Sequence, residues 1–369
     1  MFPVAAIAQR ELQQTFCQNL VLFANLMHNK ISSLWNARFL RVVFFILIFG
    51  TVSCGVLEER PPFMADISGI DVPDVEIKRY EEVLFRINPN KLYEEIQPYI
   101  STFGFFLGDA IHTQAGQQQL FDYISDPLIR EIYMDTKEVW YSLDELEENL
   151  TEAFRFYRYH FPQNPLPRLY SYISGLDHHF PIKYYDGVMV IGLDLYLGAG
   201  YEKYMQAGIQ LFQQFRMQPA FLESDIMRMM AENHLQQTEI VPQNLLDFMI
   251  YEGKVLYFLD STLPLTHDSL KIGFTGTQLQ WMQQNLGRVW TFFIQNELLF
   301  SNDRGVIRNF VGEAPFTTAF GNNSPPRTAA YIGWQIVRDF MQHNPSVTLS
   351  ELLHIQDSQK ILTRSRFRP

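Results

Sequence analysis

The chain has 369 residues, 47% of them hydrophobic and 15% aromatic, including 31 Phe and 18 Tyr. That apolar content supplies a well-buried core and excludes intrinsic disorder. A net charge of −11 excludes a nucleic-acid partner held through its phosphates.

Lys30, Arg38 and Arg41 form a basic region ahead of the apolar run 42–49, VVFFILIF, which leads through Gly50, Thr51, Val52 and Ser53 to Cys54. The run is too short for a membrane-spanning helix, and the order matches an export signal. Small residues before a cysteine are the pattern of a bacterial lipid-attachment site, although Leu is usual where Thr51 stands. Residues 1–53 are therefore expected to be a signal peptide, and Cys54 the lipidated residue. Residues 1–26 do not fit such a signal, which places the expected translation start at Met27; N-terminal sequencing of the precursor checks this. The chain has only two cysteines, Cys17 and Cys54. Cleavage would remove one and acylation would consume the other, which leaves no thiol for a disulfide, a nucleophile or a metal site. Removal of Arg10, Lys30, Arg38 and Arg41 against Glu11 alone makes the remaining body still more acidic. Charge does not draw such a body to an anionic membrane, so the lipid must anchor it.

Residues 54–74, with Pro61, Pro62 and Pro73, read as an extended tether, and residues 75–369 as a single globular domain. Residues 75–85, VEIKRYEEVLF, begin with alternation and predict a short strand. Asn88-Pro89 and Asp126-Pro127 each open a helix. Ser142 and Glu145 have capping-box spacing for a long helix reaching His160, with Leu143, Leu146, Leu150, Phe154 and Tyr157 on its inner face. The β-branched and aromatic runs PRLYSYIS and PIKYYDGVMVIGLDLYLG predict strands, turned tightly at Asp186-Gly187. Helices then resume at Glu223, run from Pro242 to Asp260, and follow over 277–299 and 328–342. Thr348 and Glu351 cap a last short helix, and the basic tail TRSRFRP is expected to fray.

The helix pair over residues 225–259 holds the most specific arrangement. His234 lies on its first helix, and Glu252, followed by Gly253, on its second. The layout is similar to the zinc site of a gluzincin peptidase, in which a His-Glu-x-x-His helix and a Glu from the next helix bind zinc. With His234 as the second histidine, Met230 occupies the place of the first and Ala231 that of the general base. A catalytic zinc needs three protein ligands and a base for its water. The expectation is thus an α+β, predominantly helical, degenerate zincin-like domain with a small sheet beside the central helix pair. His234 and Glu252 would face one another across a cleft as vestigial metal-site residues, with no catalytic residue left. The plainer reading is a core-edge histidine and a solvated or capping glutamate. A surviving metalloenzyme would need Asp225 or Glu232 as third ligand, and Glu232 points off the metal-facing side. His178 and His179, adjacent on a strand, would point to opposite faces and not share a metal.

Three stretches resemble one family, the gliding-motility lipoprotein GldB family of Bacteroidetes: MIYEGKVLYFLD at 249–260, EAPFT at 313–317, and Pro326-Arg327 followed by GWQIVR at 333–338. The lipid-attachment site and the segment IKRYEEVLF agree in order. The resemblance covers the body, most weakly in its middle. It implies a lipoprotein anchored in the cell membrane or outer membrane, facing the periplasm, with envelope proteins of the gliding or linked secretion apparatus as partners. No cofactor is expected, with zinc as the alternative, and the resemblance makes Arg327, Trp334 and Arg338 structural or partner contacts. Two alternatives stand beside it: a zinc-dependent peptidase-like metalloenzyme, and a small-molecule binder using the aromatic interior.

Overall fold

Four short strands form one mixed sheet in the order β1-β2-β4-β3, with β1 Ile77–Arg79, β2 Arg168–Tyr172, β3 Ile182–Tyr185 and β4 Val188–Gly192. The computed structural model describes residues 64–369; the expected signal segment, the Met27 start and Cys54 lie outside the described residues. β2 pairs in parallel with both β1 and β4, and β3 pairs antiparallel with β4. Asp186 and Gly187 join β3 to β4 with positive φ at both positions (46° and 71°), as a two-residue hairpin turn requires.

The rest is helical, and most caps follow the sequence. Asn88 accepts from the Asn90 amide, and Asp126 accepts from Leu128 and Ile129. The Tyr157 helix (Asp144–His160) buries Leu146, Leu150, Phe154 and Tyr157 on one face. The Glu252 helix (Leu245–Thr262) is closed by a reciprocal Asn244–Asp247 box, and Leu349–His354 by a Thr348–Glu351 box.

Several expectations need correction. The strand predicted over 75–85 ends at Arg79, and Tyr80–Leu84 is a helix. Tyr80, Leu84 and Ile87 recur at helical spacing and turn together into a second apolar cluster with Ile96 and Phe103. Ser142 does accept from the Asp144 amide, but Leu143 holds the cap position and no box forms with Glu145. The His234 helix (Pro219–Gln237) starts a turn before Glu223, because Pro219 fits a first helical turn where its missing N–H costs nothing. The end of the chain does not fray. Ser358–Ser365 is helical, Arg364 donates to Asn344 (2.5 Å), and Phe367 packs edge-on against Trp290. Nor is all of 64–74 a free tether: Arg155 holds the carbonyls of Ile70 and Ile67, and Val72 is buried.

Pro61–Pro369 cluster as one compact unit. Its centre is the Glu252 helix, which is buried nearly all round and so has neighbours on every side. The Trp334 helix (Thr328–His343) crosses it backbone to backbone. A Cβ on Gly253 would overlap the Gly333 carbonyl, and one on Gly333 would overlap the Met249 carbonyl. Only glycine at both positions allows that approach. Among the described residues, no helix is long and apolar enough to cross a membrane.

Candidate functional site

The three family-like stretches, far apart in sequence, meet at two buried charge clusters. In the first, Arg327 is the residue before the Trp334 helix, in a left-handed conformation with φ 53°. This geometry sends its guanidinium inward. Nη1 donates to the Ile272 carbonyl (2.8 Å) and Nη2 to Glu252 (2.7 Å). Glu313 lies 3.7 Å from Arg327 and 3.4 Å from Arg216, and Arg216 in turn pairs with Asp225. Arg228, on the His234 helix, donates to Glu252 from the other side (3.2 Å) and lies 3.6 Å from Glu232. Burial alone would raise the Glu252 carboxyl, but Arg327 and Arg228 hold it below its ordinary value.

The second cluster centres on Asp260, two turns along the same helix and fully buried. It accepts from Trp334 Nε1 (2.8 Å), from Arg338 Nε and Nη2 (both 2.7 Å), and from Lys271 (3.0 Å). Arg338 also forks onto Asp268 at 2.9 Å and lies 3.8 Å above the Trp334 ring. Trp334 and Arg338 thus clamp the last long helix to the body. Lys254, in the same motif as Glu252, is buried and donates to the carbonyls of Leu353 (3.3 Å) and Ile355 (2.5 Å), which ties down the end of the Leu349–His354 helix. Burial pushes its amine down to about 8.

His234 belongs to neither cluster. Its Nε2 lies 3.0 Å from the Tyr157 hydroxyl, and its ring stacks on Phe161 at 4.3 Å. On a helix, Arg228 and Glu232 share the face that meets Glu252, whereas His234 lies roughly 200° round from Glu232. The expected cleft between His234 and Glu252 is therefore absent. One residue sits among aromatic rings and the other between two arginines. Asp225 and Glu232 sit beside arginines too. His178 and His179 lie in a turn before β3, not on a strand, with ring centroids 4.4 Å apart. Among the described residues, no group of three or more His, Cys, Asp or Glu side chains is placed to hold a metal ion.

Beside the first cluster is a cavity of about 410 Å³, walled by the turn at His178–Pro181, by Tyr196 and by the Arg228 face of the His234 helix. Arg216, Arg228 and Glu313 line it, and sequence reasoning singled out neither arginine. The one local signal was the four-residue spacing of Arg228 and Glu232.

Burial pushes His234 down to about 4, and His160, at the end of the Tyr157 helix, to about 4 as well. Both lie below the ordinary 6.5, so between pH 6.5 and 4 the unfolded chain takes up protons that the folded chain refuses. Each histidine then costs stability as pH falls through that window, by up to roughly 3 kcal/mol, and costs nothing above it. Buried carboxyls such as Glu81 and Asp194 are pushed up and act in the opposite sense. The difference between wild type and His234→Gln isolates the histidine. Denaturant titrations at pH 7 and 4.5 should show wild type losing about 2 kcal/mol more than the variant. A difference independent of pH would reject a buried neutral His234.

The body is a predominantly helical α+β domain whose motif residues are locked to one another by internal ion pairs. A family model described as "Gliding motility protein GldB" matches residues 61–369. The chain belongs to that family and is a gliding-motility-associated protein; the family's label also suggests a lipoprotein of the envelope. No curated protein and no solved structure matches.

Proposed function

We propose that this chain is a non-catalytic binding or scaffolding component of the cell envelope. It is held to a membrane through lipid on Cys54 and works with proteins of the gliding or secretion apparatus. The observation that carries the reading is the state of Glu252. The glutamate that stands in the place of a gluzincin-type metal ligand lies between Arg327 (2.7 Å) and Arg228 (3.2 Å). A metal there would have to displace two guanidinium groups from a largely buried carboxylate, and His234 lies among aromatic rings instead. The family membership supports the cellular role.

The test is metal analysis of the full chain purified in detergent, with and without His234→Ala. Zinc far below one equivalent in both proteins is the expected result. Stoichiometric zinc that disappears in the variant would overturn the reading and restore the peptidase alternative. Mass spectrometry of the same preparation reads the acyl mass on Cys54, which Cys54→Ala should abolish.

A further inference from the structure

Arg228 contacts its protein acceptors through Nη1 alone. Its Nε and Nη2 are buried and have no hydrogen-bond partner among the described residues. These two atoms form one straight edge of the planar guanidinium, the edge that fits both oxygens of a carboxylate. Leaving buried charged donors empty costs free energy, so the unfilled edge of an arginine that lines a cavity points to a missing acceptor, which the side chain would turn to meet. Arg228 lines the cavity described above, whose volume of about 410 Å³ lies in the range of small-ligand sites. Phe180, Ile182 and Met229 supply apolar wall, and Phe180 is an exposed aromatic at its rim.

We propose that this cavity binds a carboxylate carried beside an apolar group, with the carboxylate side-on against Arg228 Nε and Nη2 and the apolar group against Phe180, Ile182 and Met229. The inference rests on the binding reading above and names what is bound. A carboxylate fits better than a phosphate because of the neighbours. Asp225, Glu232, Glu252 and Glu313 already surround Arg216, Arg228 and Arg327. A dianion would meet that acidic surround with twice the charge of a monoanion. Glu232 is the weakest-held member, 3.6 Å from Arg228, and competes with the ligand for the same guanidinium. The same chemistry is offered by a free apolar acid and by the C-terminus of a polypeptide ending in an apolar residue.

The full chain in detergent is titrated calorimetrically with N-acetyl-leucine, with a hexapeptide ending in a free leucine carboxylate, and with the amide of each. Both acids should bind, and the amides at least about tenfold more weakly. Arg228→Lys keeps the charge but loses the planar edge, and should weaken the acids by about tenfold or more. Glu232→Gln should tighten them. Phe180→Ala should weaken them several-fold without touching an ion pair, which keeps the test decisive if Arg228 variants fail to fold. A hexapeptide that binds more tightly than N-acetyl-leucine assigns a chain terminus, and equal affinity assigns a free acid. No binding of either acid at millimolar concentration, or equal binding of acids and amides, overturns the proposal and leaves the non-catalytic reading standing. Recovery of a shortened hexapeptide would instead overturn the non-catalytic reading.

Discussion

Replacing Asp260 with alanine is expected to destabilise the body by about 4 kcal/mol, seen as a fall of roughly 10 °C in melting temperature. The reason is what the substitution leaves behind. Lys271 is 1% exposed, and its ammonium loses the carboxylate 3.0 Å away. Arg338 keeps Asp268 but loses two bonds of 2.7 Å, and Trp334 Nε1 is left buried without its acceptor. Removing one partner of a buried pair costs more than the pair contributes, because the remaining charge has no water to turn to. Adding Lys271→Met to Asp260→Ala should recover about 1 kcal/mol, since a buried ammonium whose closest carboxylate is gone, with Asp268 only at 4.0 Å, is removed too. Thermal melts of both variants decide it. A loss under about 1 kcal/mol for Asp260→Ala would mean that the charges find water and the cluster is not closed.

Gly333→Ala should be nearly as damaging, by about 3 kcal/mol or more, although alanine is the better helix former by about 1 kcal/mol. The new methyl would overlap the Met249 carbonyl, and backbone cannot rotate aside as a side chain can. The two central helices would have to separate, loosening the contacts that Glu252 and Asp260 make with Arg327, Trp334 and Arg338. Gly104→Ala is the matched control. It also lies inside a helix, but its Cβ would meet only a methyl of Ile100 at 3.8 Å. That variant should be neutral or stabilised by under about 1 kcal/mol. Equal effects of the two substitutions would show that the helix crossing is not tight.

What the sequence could tell follows from where each signal lies. Caps such as Asn88, Asp126 and Thr348, and the Asp186-Gly187 turn, act within four residues and were legible. The segment after Arg79 was not, because Tyr80 and Leu84 fit a strand's apolar content as well as a helix's spacing. The family-like stretches picked out Glu252, Arg327, Trp334 and Arg338, all of which carry buried or part-buried polar contacts. Among the residues they pair with, Asp260 closes the first stretch and Arg228 had only its spacing from Glu232, while Arg216 and Lys271 left no mark. Most of these pairings join residues distant in sequence, and no local pattern encodes them. The zinc-site register failed for a different reason. Spacing along two helices fixes how far apart His234 and Glu252 lie in sequence, but not how each helix is rotated about its axis.

The helix that fills the centre of the body is completed by residues that arrive late. Until residues 327–338 have emerged, Glu252 lacks Arg327, Asp260 lacks Trp334 and Arg338, and Gly253 lacks Gly333 and Val337. A chain delivered N-terminus first, from a ribosome or through a pore, therefore has a slot in its middle for most of its passage. The earlier segments can form helices, and the Tyr80–Phe103 cluster can close, but the main core around the central helix cannot. Closure of the central cluster is thus timed by arrival of the C-terminal part, so loss of that part should cost the central helix its packing and not merely the end of the chain.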